Sequence, residues 1–313
     1  MNVLSIVSIR CNMIKTFLKA LRLPFLAGSI IPLITAAAFA FHRGSFSLLP
    51  LVMALIGVGA LHLGSNCIND YYDSKGSDSI NIRLTPFSGG SRVIQENELQ
   101  PNTILALSIV FYSIGIACGL WFTFWGRPYV LLIGLSGLLA GWAYSGPPLS
   151  LMSHGLGEAV IFFAFGPLIT LGTYYVITDN LSWPAFLLGI PHGFLIMAVI
   201  WINQFPDYQA DRAANKKNLV VRLGLSKARY IYSLMMLLPF LFIILLIYSI
   251  GLPFLVIISL GAFLLAGRAI RILWRRYLSF QDIIPAQALT IHTLICMGLL
   301  VSGSLFISRI IGA

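Results

Sequence analysis

Long apolar stretches separated by short polar segments dominate the chain. About nine of them are long enough for helices that cross a hydrocarbon core of ~30 Å, which takes ~20 residues each. They fall at residues 23–41, 47–69, 102–124, 128–145, 156–177, 184–204, 230–250, 252–271 and 287–309. Polar side chains concentrate at the ends of two of these stretches. NCINDYYDSKGSD (66–78) closes the second, and WINQFPDYQADRAANKKNLVVRLG (201–224) closes the sixth. The pattern predicts an all-α polytopic membrane protein. Its nine transmembrane helices would be bundled around a central cavity open to the cytoplasmic side.

Composition removes the alternative that length alone would favour. A chain of 313 residues ordinarily suggests two soluble domains, but 58% of these residues are hydrophobic and only 10% are charged, against roughly 25% charged in soluble proteins. We therefore expect a single membrane domain over 1–313. If the two polar ends reflect a duplication, its parallel four-helix halves would be 23–145 and 156–271.

Charge gives the orientation. With a cytoplasmic N-terminus and nine spans, all of the 20 Lys and Arg residues except Arg43, Arg127 and Arg309 fall on the cytoplasmic side, a strong positive-inside bias. The C-terminus is then outside, as in a protein of the bacterial inner membrane. The net charge of +10 reads as topology and contact with membrane lipids, so no nucleic acid is needed to account for it. Arg268, Arg271, Arg275 and Arg276 read as a headgroup-binding face, and residues 1–22 as a short amphipathic surface helix. Cys11, Cys67, Cys118 and Cys296 form no CxxC pair, so neither a disulfide framework nor a zinc site is indicated.

The two polar ends carry the candidate chemistry. Asn66, Asp70 and Asp73 are spaced i, i+4, i+7 on one helical face, and Asn203, Asp207 and Asp211 are spaced i, i+4, i+8. Four predicted helices separate the two sets, an even number, so both emerge on one side of the membrane. With Asp78 they hold five of the ten acidic residues. Clustered carboxylates repel unless cations neutralise them. Mg²⁺ suits them, because it is held by one or two carboxylates plus the phosphates of a substrate. Ser88, Gly89, Gly90 and Ser91, with Arg92 and Arg83, add candidate anion donors. Tyr144 and Ser145, before the helix-breaking Gly146-Pro147-Pro148, are placed to face the same cavity. A diphosphate head on a lipid tail, a polyprenyl diphosphate, is the occupant such a site fits.

The NDYYDSKGSD run, DYQAD followed by KKNLVVRLG, the AYSGPPL turn and the nine-span pattern together resemble the UbiA-type intramembrane prenyltransferases. PFSGGSRVIQ and NQFPDYQAD further resemble the branch that prenylates 1,4-dihydroxy-2-naphthoate in menaquinone synthesis. The resemblance implies Mg²⁺ held by Asp70, Asp73, Asp207 and Asp211, with Asn66 and Asn203 assisting. It also implies substrate contacts from Lys75, Asp78, Arg92, Tyr144, Lys216, Lys217 and Arg222, and transfer of the prenyl group to an aromatic acceptor. The family's commonest first motif, NxxxDxxxD, would put an acid where Ser74 stands, which leaves Asp73 and Asp78 both open as the second ligand. No basic pair follows the GPPLSLMSHG turn, which counts against a 4-hydroxybenzoate acceptor. Homogentisate, a chlorophyllide or a glycerol phosphate lipid are the alternative acceptors. From another class, a secondary transporter would place its acids nearer the bilayer midplane.

Overall fold

A computed structural model describes residues 13–312 of the chain. The described residues are helical throughout their long elements, in chain order α1 (Met13–His42), α2 (Leu48–Asp73), α3 (Pro101–Phe124), α4 (Tyr129–Ser145), α5 (Gly157–Thr178), α6 (Trp183–Ala213), α7 (Leu225–Ser249), α8 (Phe254–Arg276) and α9 (Ile284–Ile311). Eight of these are long and apolar enough to cross a membrane, whereas α4 is a shorter apolar helix of 17 residues. At 1.5 Å per residue α4 spans about 26 Å. Pro128 bounds it at one end and Gly146-Pro147-Pro148 at the other, which makes it the shortest of the nine helices, at the lower limit of a span.

Of the amphipathic helix expected over 1–22, residues 1–12 lie outside the described residues. Residues 13–21 are helical. Arg22 then adopts a left-handed backbone (φ 52°), and a 3₁₀ turn over Leu23–Leu26 with Pro24 in its first turn redirects the chain into the rest of α1. The turn swings the Arg22 side chain under the end of α2.

Packing follows the small residues, as expected where apolar surface gains nothing by leaving lipid. α2 packs on α3, α6 on α5 and α7, and α9 on α1, α6 and α8. Gly166, Gly189 and Gly193 let α5 and α6 meet backbone to backbone, since a Cβ at Gly166 would come 2.5 Å from the Gly189 carbonyl. Pro167 beside them sits in a π-helical turn, Ala164–Leu168, which accommodates the residue without ending the helix. α6 also runs unbroken through Pro191 and Pro206, so Pro206 does not divide the second acidic set.

Candidate active site

The helices enclose a cavity of about 300 Å³. α1 to α6 line it, α9 adds Ile291 and Leu294, and nothing from α7 or α8 reaches it. One end is built from Asn66, Asn69, Asp73, Ser77, Asp78, Asn203, Asp207, Asp211 and Lys216. The depth is mostly apolar, from Leu61, Phe165 and Ile200 down to Met53, Phe122 and Val176, with Ser29, His62, Ser65 and Thr173 also on the lining. Asp73 and Met53 are twenty residues apart on α2, about 30 Å along its axis. The cavity therefore joins a charged end to a lipid-like interior almost as long as the bilayer core.

Local structure brings the acids together. α2 ends at Asp73, and the Ser74-Lys75-Gly76 turn feeds a short helix, Ser77–Ile80, that carries Asp78 back to the cavity wall. α6 is 31 residues long, so its last three turns overrun the apolar span and present Asp207 and Asp211. Lys216 joins the two arms. Its Nζ lies 2.9 Å from Asp73 Oδ2 and 3.7 Å from Asp211 Oδ1, and donates to Ser77 Oγ at 3.2 Å. Burial lowers the pKa of Lys216, but the charges of Asp73, Asp211 and Asp78 outweigh it and hold the ammonium above its usual value.

Amides brace the remaining oxygens. Asn69 donates to Asp73 Oδ2 at 2.9 Å and to Ser145 Oγ at 2.7 Å, Asn81 to Asp207 Oδ1 at 2.7 Å, and Asn218 to Asp211 Oδ2 at 2.8 Å. Asn203, expected to face a metal or substrate, lines the cavity while its Oδ1 accepts from Gln287 Nε2 at 2.9 Å. Asn66 also lines the cavity and donates to the Leu21 carbonyl at 3.2 Å.

Asp70 has a different setting. Its two oxygens accept the Ser91 N–H at 3.2 and 3.4 Å, and Arg22 Nη1 lies 3.6 Å away. Asp70 is buried and does not line the cavity, whereas Asp73 and Asp78 both do. The Ser91 amide, expected to bind an anion, is thus committed to a carboxylate. Arg92 donates to the Asp78 backbone carbonyl at 2.5 Å. Ser88, Gly89 and Gly90 do line the cavity. Burial, and then the nearby Asp73 charge, push Asp78 up to about 7.

The other expected substrate contacts divide. Tyr144 lines the cavity beside Met152. Lys75, Lys217 and Arg222 are exposed and off its lining. Lys75 donates to Tyr71 Oη at 2.8 Å, and Arg222 donates to the His154 and Lys217 carbonyls. The sequence reading missed Arg22, Asn69, Ser77, Asn81 and Asn218 as members of the site. Of these, Asn69 alone carries a signal in the sequence, since it lies one turn before Asp73 on α2.

The donor set fits divalent cations. Five carboxylates converge, and the ion pairs among the described residues bring them only Arg22 and Lys216. Asp73 Oδ1, Asp207 Oδ2 and the Asp78 carboxylate take no hydrogen bond from the described residues. No three His, Cys, Asp or Glu side chains among the described residues already surround a single point. Mg²⁺ is usually held by one or two protein carboxylates, its shell completed by waters and phosphate oxygens.

The profile of the UbiA prenyltransferase family matches residues 29–282. The chain belongs to this family. It is 32% identical over 221 residues to the 1,4-dihydroxy-2-naphthoate octaprenyltransferase of Escherichia coli, an alignment covering 69% of this chain and 70% of that one. The enzyme of the same name from Bacillus subtilis is 27% identical over 203 residues. That alignment covers 64% of this chain and 63% of the Bacillus subtilis one. Among solved structures, a UbiA homolog from Aeropyrum pernix K1 superposes with a TM-score of 0.67 at 16% identity, over 87% of this chain and 96% of that one. A UbiA homolog from Archaeoglobus fulgidus bound to GPP and Mg²⁺ gives 0.63 at 17% identity, over 92% and 99%. These likenesses establish the fold of an integral multi-pass membrane protein.

Proposed function

We propose that the protein transfers a polyprenyl group from its diphosphate to an aromatic acceptor, 1,4-dihydroxy-2-naphthoate, with Mg²⁺ as cofactor. The observation that carries this reading is the two-ended cavity, in which open carboxylates of α2 and α6 face each other over a long apolar slot. A diphosphate and its hydrocarbon tail match the two ends. GPP and Mg²⁺ are the ligands of the Archaeoglobus fulgidus homolog, and naphthoate is the acceptor in the names of the Escherichia coli and Bacillus subtilis relatives.

In this account Asp73, Asp78, Asp207 and Asp211 would hold the cations, with Asn66 and Asn203 assisting. Asp70 anchors the 88–91 loop beside them. When bound, Mg²⁺ neutralises the diphosphate and stabilises it as a leaving group. Lys216 and Arg22 add fixed positive charge at the same end, where negative charge develops as the C1–O bond breaks. Phe25, Phe87, Tyr144 and Phe165 line the cavity, and aromatic side chains of this kind stabilise an allylic cation. The apolar walls keep water from it. A ring carbon of the acceptor then bonds to C1, and the ring regains aromaticity by losing a proton, or carbon dioxide if the attacked carbon bears the carboxylate. The positive-inside pattern supports placing the acidic end and the N-terminus in the cytoplasm.

The test uses purified full-length protein in detergent with Mg²⁺, labelled geranyl diphosphate and a panel of aromatic acceptors. Prenylated naphthoate that disappears with EDTA is the expected product. Absence of product with every acceptor, or full activity in EDTA, refutes the reading.

A further inference from the structure

One turn inside the acids, the cavity wall holds a polar group with an unpartnered oxygen. Gln204 lies at i−3 from Asp207 and i−7 from Asp211 on α6, so it shares their face about 4.5 Å further in. It lines the cavity and is 3% exposed. Its Nε2 donates to Glu158 Oε1 at 3.0 Å, and the same oxygen accepts the Leu219 N–H at 3.2 Å. Glu158, at the start of α5, is 1% exposed. An oxygen already accepting a backbone amide calls for a donor, so the Gln204 amide presents its nitrogen to Glu158 and its carbonyl elsewhere. That carbonyl, Oε1, is buried without a hydrogen-bond partner. Native structures rarely leave such a group unpaired unless something else completes it.

The position says what completes it. On the reading proposed above, the diphosphate binds at Asp207 and Asp211 and the reacting end of the prenyl chain extends inward from them, toward the turn that carries Gln204. Met152 Sδ lies 3.8 Å from Gln204 Nε2, and Tyr144 lines the cavity on the same side. A thioether and a phenol side by side make a weakly polar surface, and a thioether packs favourably against an aromatic ring. We propose that Gln204 recognises the acceptor: its Oε1 accepts the hydrogen of a ring hydroxyl on a hydroxylated arene seated against Tyr144 and Met152. Glu158 is a positioning residue that fixes the amide the right way round. The hydroxyl that makes the ring nucleophilic is thereby the group the site selects. This inference rests on the prenyl-transfer reading above.

The test measures geranyl transfer to 1,4-dihydroxy-2-naphthoate and to its two monomethyl ethers, with Mg²⁺, in wild type, Gln204→Leu and Glu158→Gln. Leucine keeps most of the volume and removes the acceptor atom. Gln204→Leu should raise KM for the naphthoate about 5- to 150-fold, the equivalent of ~1–3 kcal/mol for a lost buried hydrogen bond. KM for geranyl diphosphate should stay within about twofold, which also shows that the variant is folded. One of the two ethers should suffer the same penalty on wild type and no further penalty on Gln204→Leu. Glu158→Gln should give a smaller rise in acceptor KM alone. An unchanged acceptor KM, an equal rise for both substrates, or an ether penalty that survives in Gln204→Leu overturns the proposal. Failure of the wild type to prenylate any arene is a different result, which refutes the prenyl-transfer reading itself.

Discussion

Replacing Lys216 by methionine removes the cation that bridges the two acidic arms while keeping an unbranched chain of similar length. Its Nζ lies 2.9 Å from Asp73 and 3.7 Å from Asp211, and the three side chains are 13%, 18% and 5% exposed. Breaking one partner of a buried ion pair costs ~3–5 kcal/mol. Residual exposure of Lys216 and Asp73 lets water screen part of this, which leaves about 2–3 kcal/mol. The readout is thermal unfolding in detergent, followed by intrinsic tryptophan fluorescence. Without metal, Lys216→Met should melt several degrees below wild type, because Asp73 and Asp211 then lose the cation they share. Added Mg²⁺ should raise its midpoint more than that of wild type, since a cation between the arms replaces the lost charge. Lys216→Arg keeps the charge, with a planar fork in place of a compact ammonium, and should fall between the two. Equal metal-free midpoints, or an equal response to Mg²⁺, would refute the claim that Lys216 holds the arms together.

Three further expectations follow from the same geometry. Gly90 has φ 74°, and a Cβ there would collide with Asp78 Oδ2, so Gly90→Ala should displace Asp78 and lower transfer activity, measured as kcat at saturating substrates; wild-type activity contradicts this. Asp78, raised to about 7 by burial and by Asp73, holds its proton in the folded metal-free protein at pH values where the unfolded chain has lost it. Its contribution is full below about pH 4 and is lost as pH rises to 7, so metal-free midpoints should fall over that window by more in wild type than in Asp78→Asn; parallel curves contradict it. Gly134 lines the cavity with open space where a Cβ would stand. Gly134→Phe should therefore penalise long prenyl diphosphates more than geranyl diphosphate, and an unchanged ratio of kcat/KM values would contradict the placement of the tail.

The membrane architecture was legible because a bilayer imposes one length on every span, and eight stretches meet it. The ninth, α4, is the shortest, held to 17 residues by the prolines at its two ends and at the lower limit of a spanning helix. The convergence of Asp73, Asp207 and Asp211 was legible from the parity of the intervening helices. The finer division of labour was not. Asp70 has the spacing of a cavity residue, yet the Ser91 amide and Arg22 claim its oxygens, and both come from segments that spacing on α2 cannot place. Arg22 was counted as a topological charge, because nothing local shows that its left-handed turn aims it at Asp70. Adjacency groups Lys217 and Arg222 with Lys216, whereas only Lys216 lines the cavity and Arg222 is taken up by the His154 and Lys217 carbonyls. Gln204 and Glu158 stand 46 residues apart, and their pairing is a property of the α5–α6 contact alone.

The central claim is that the α2 and α6 arms act jointly on one diphosphate through divalent cations. Equilibrium binding of labelled geranyl diphosphate, with and without Mg²⁺, tests it most directly in wild type, Asp73→Asn and Asp207→Asn. The account predicts Mg²⁺-dependent binding in wild type and a loss of at least about tenfold in each variant, since each removes a charged ligand from a different arm. Wild-type affinity in either variant, or binding by wild type that ignores Mg²⁺, would contradict it.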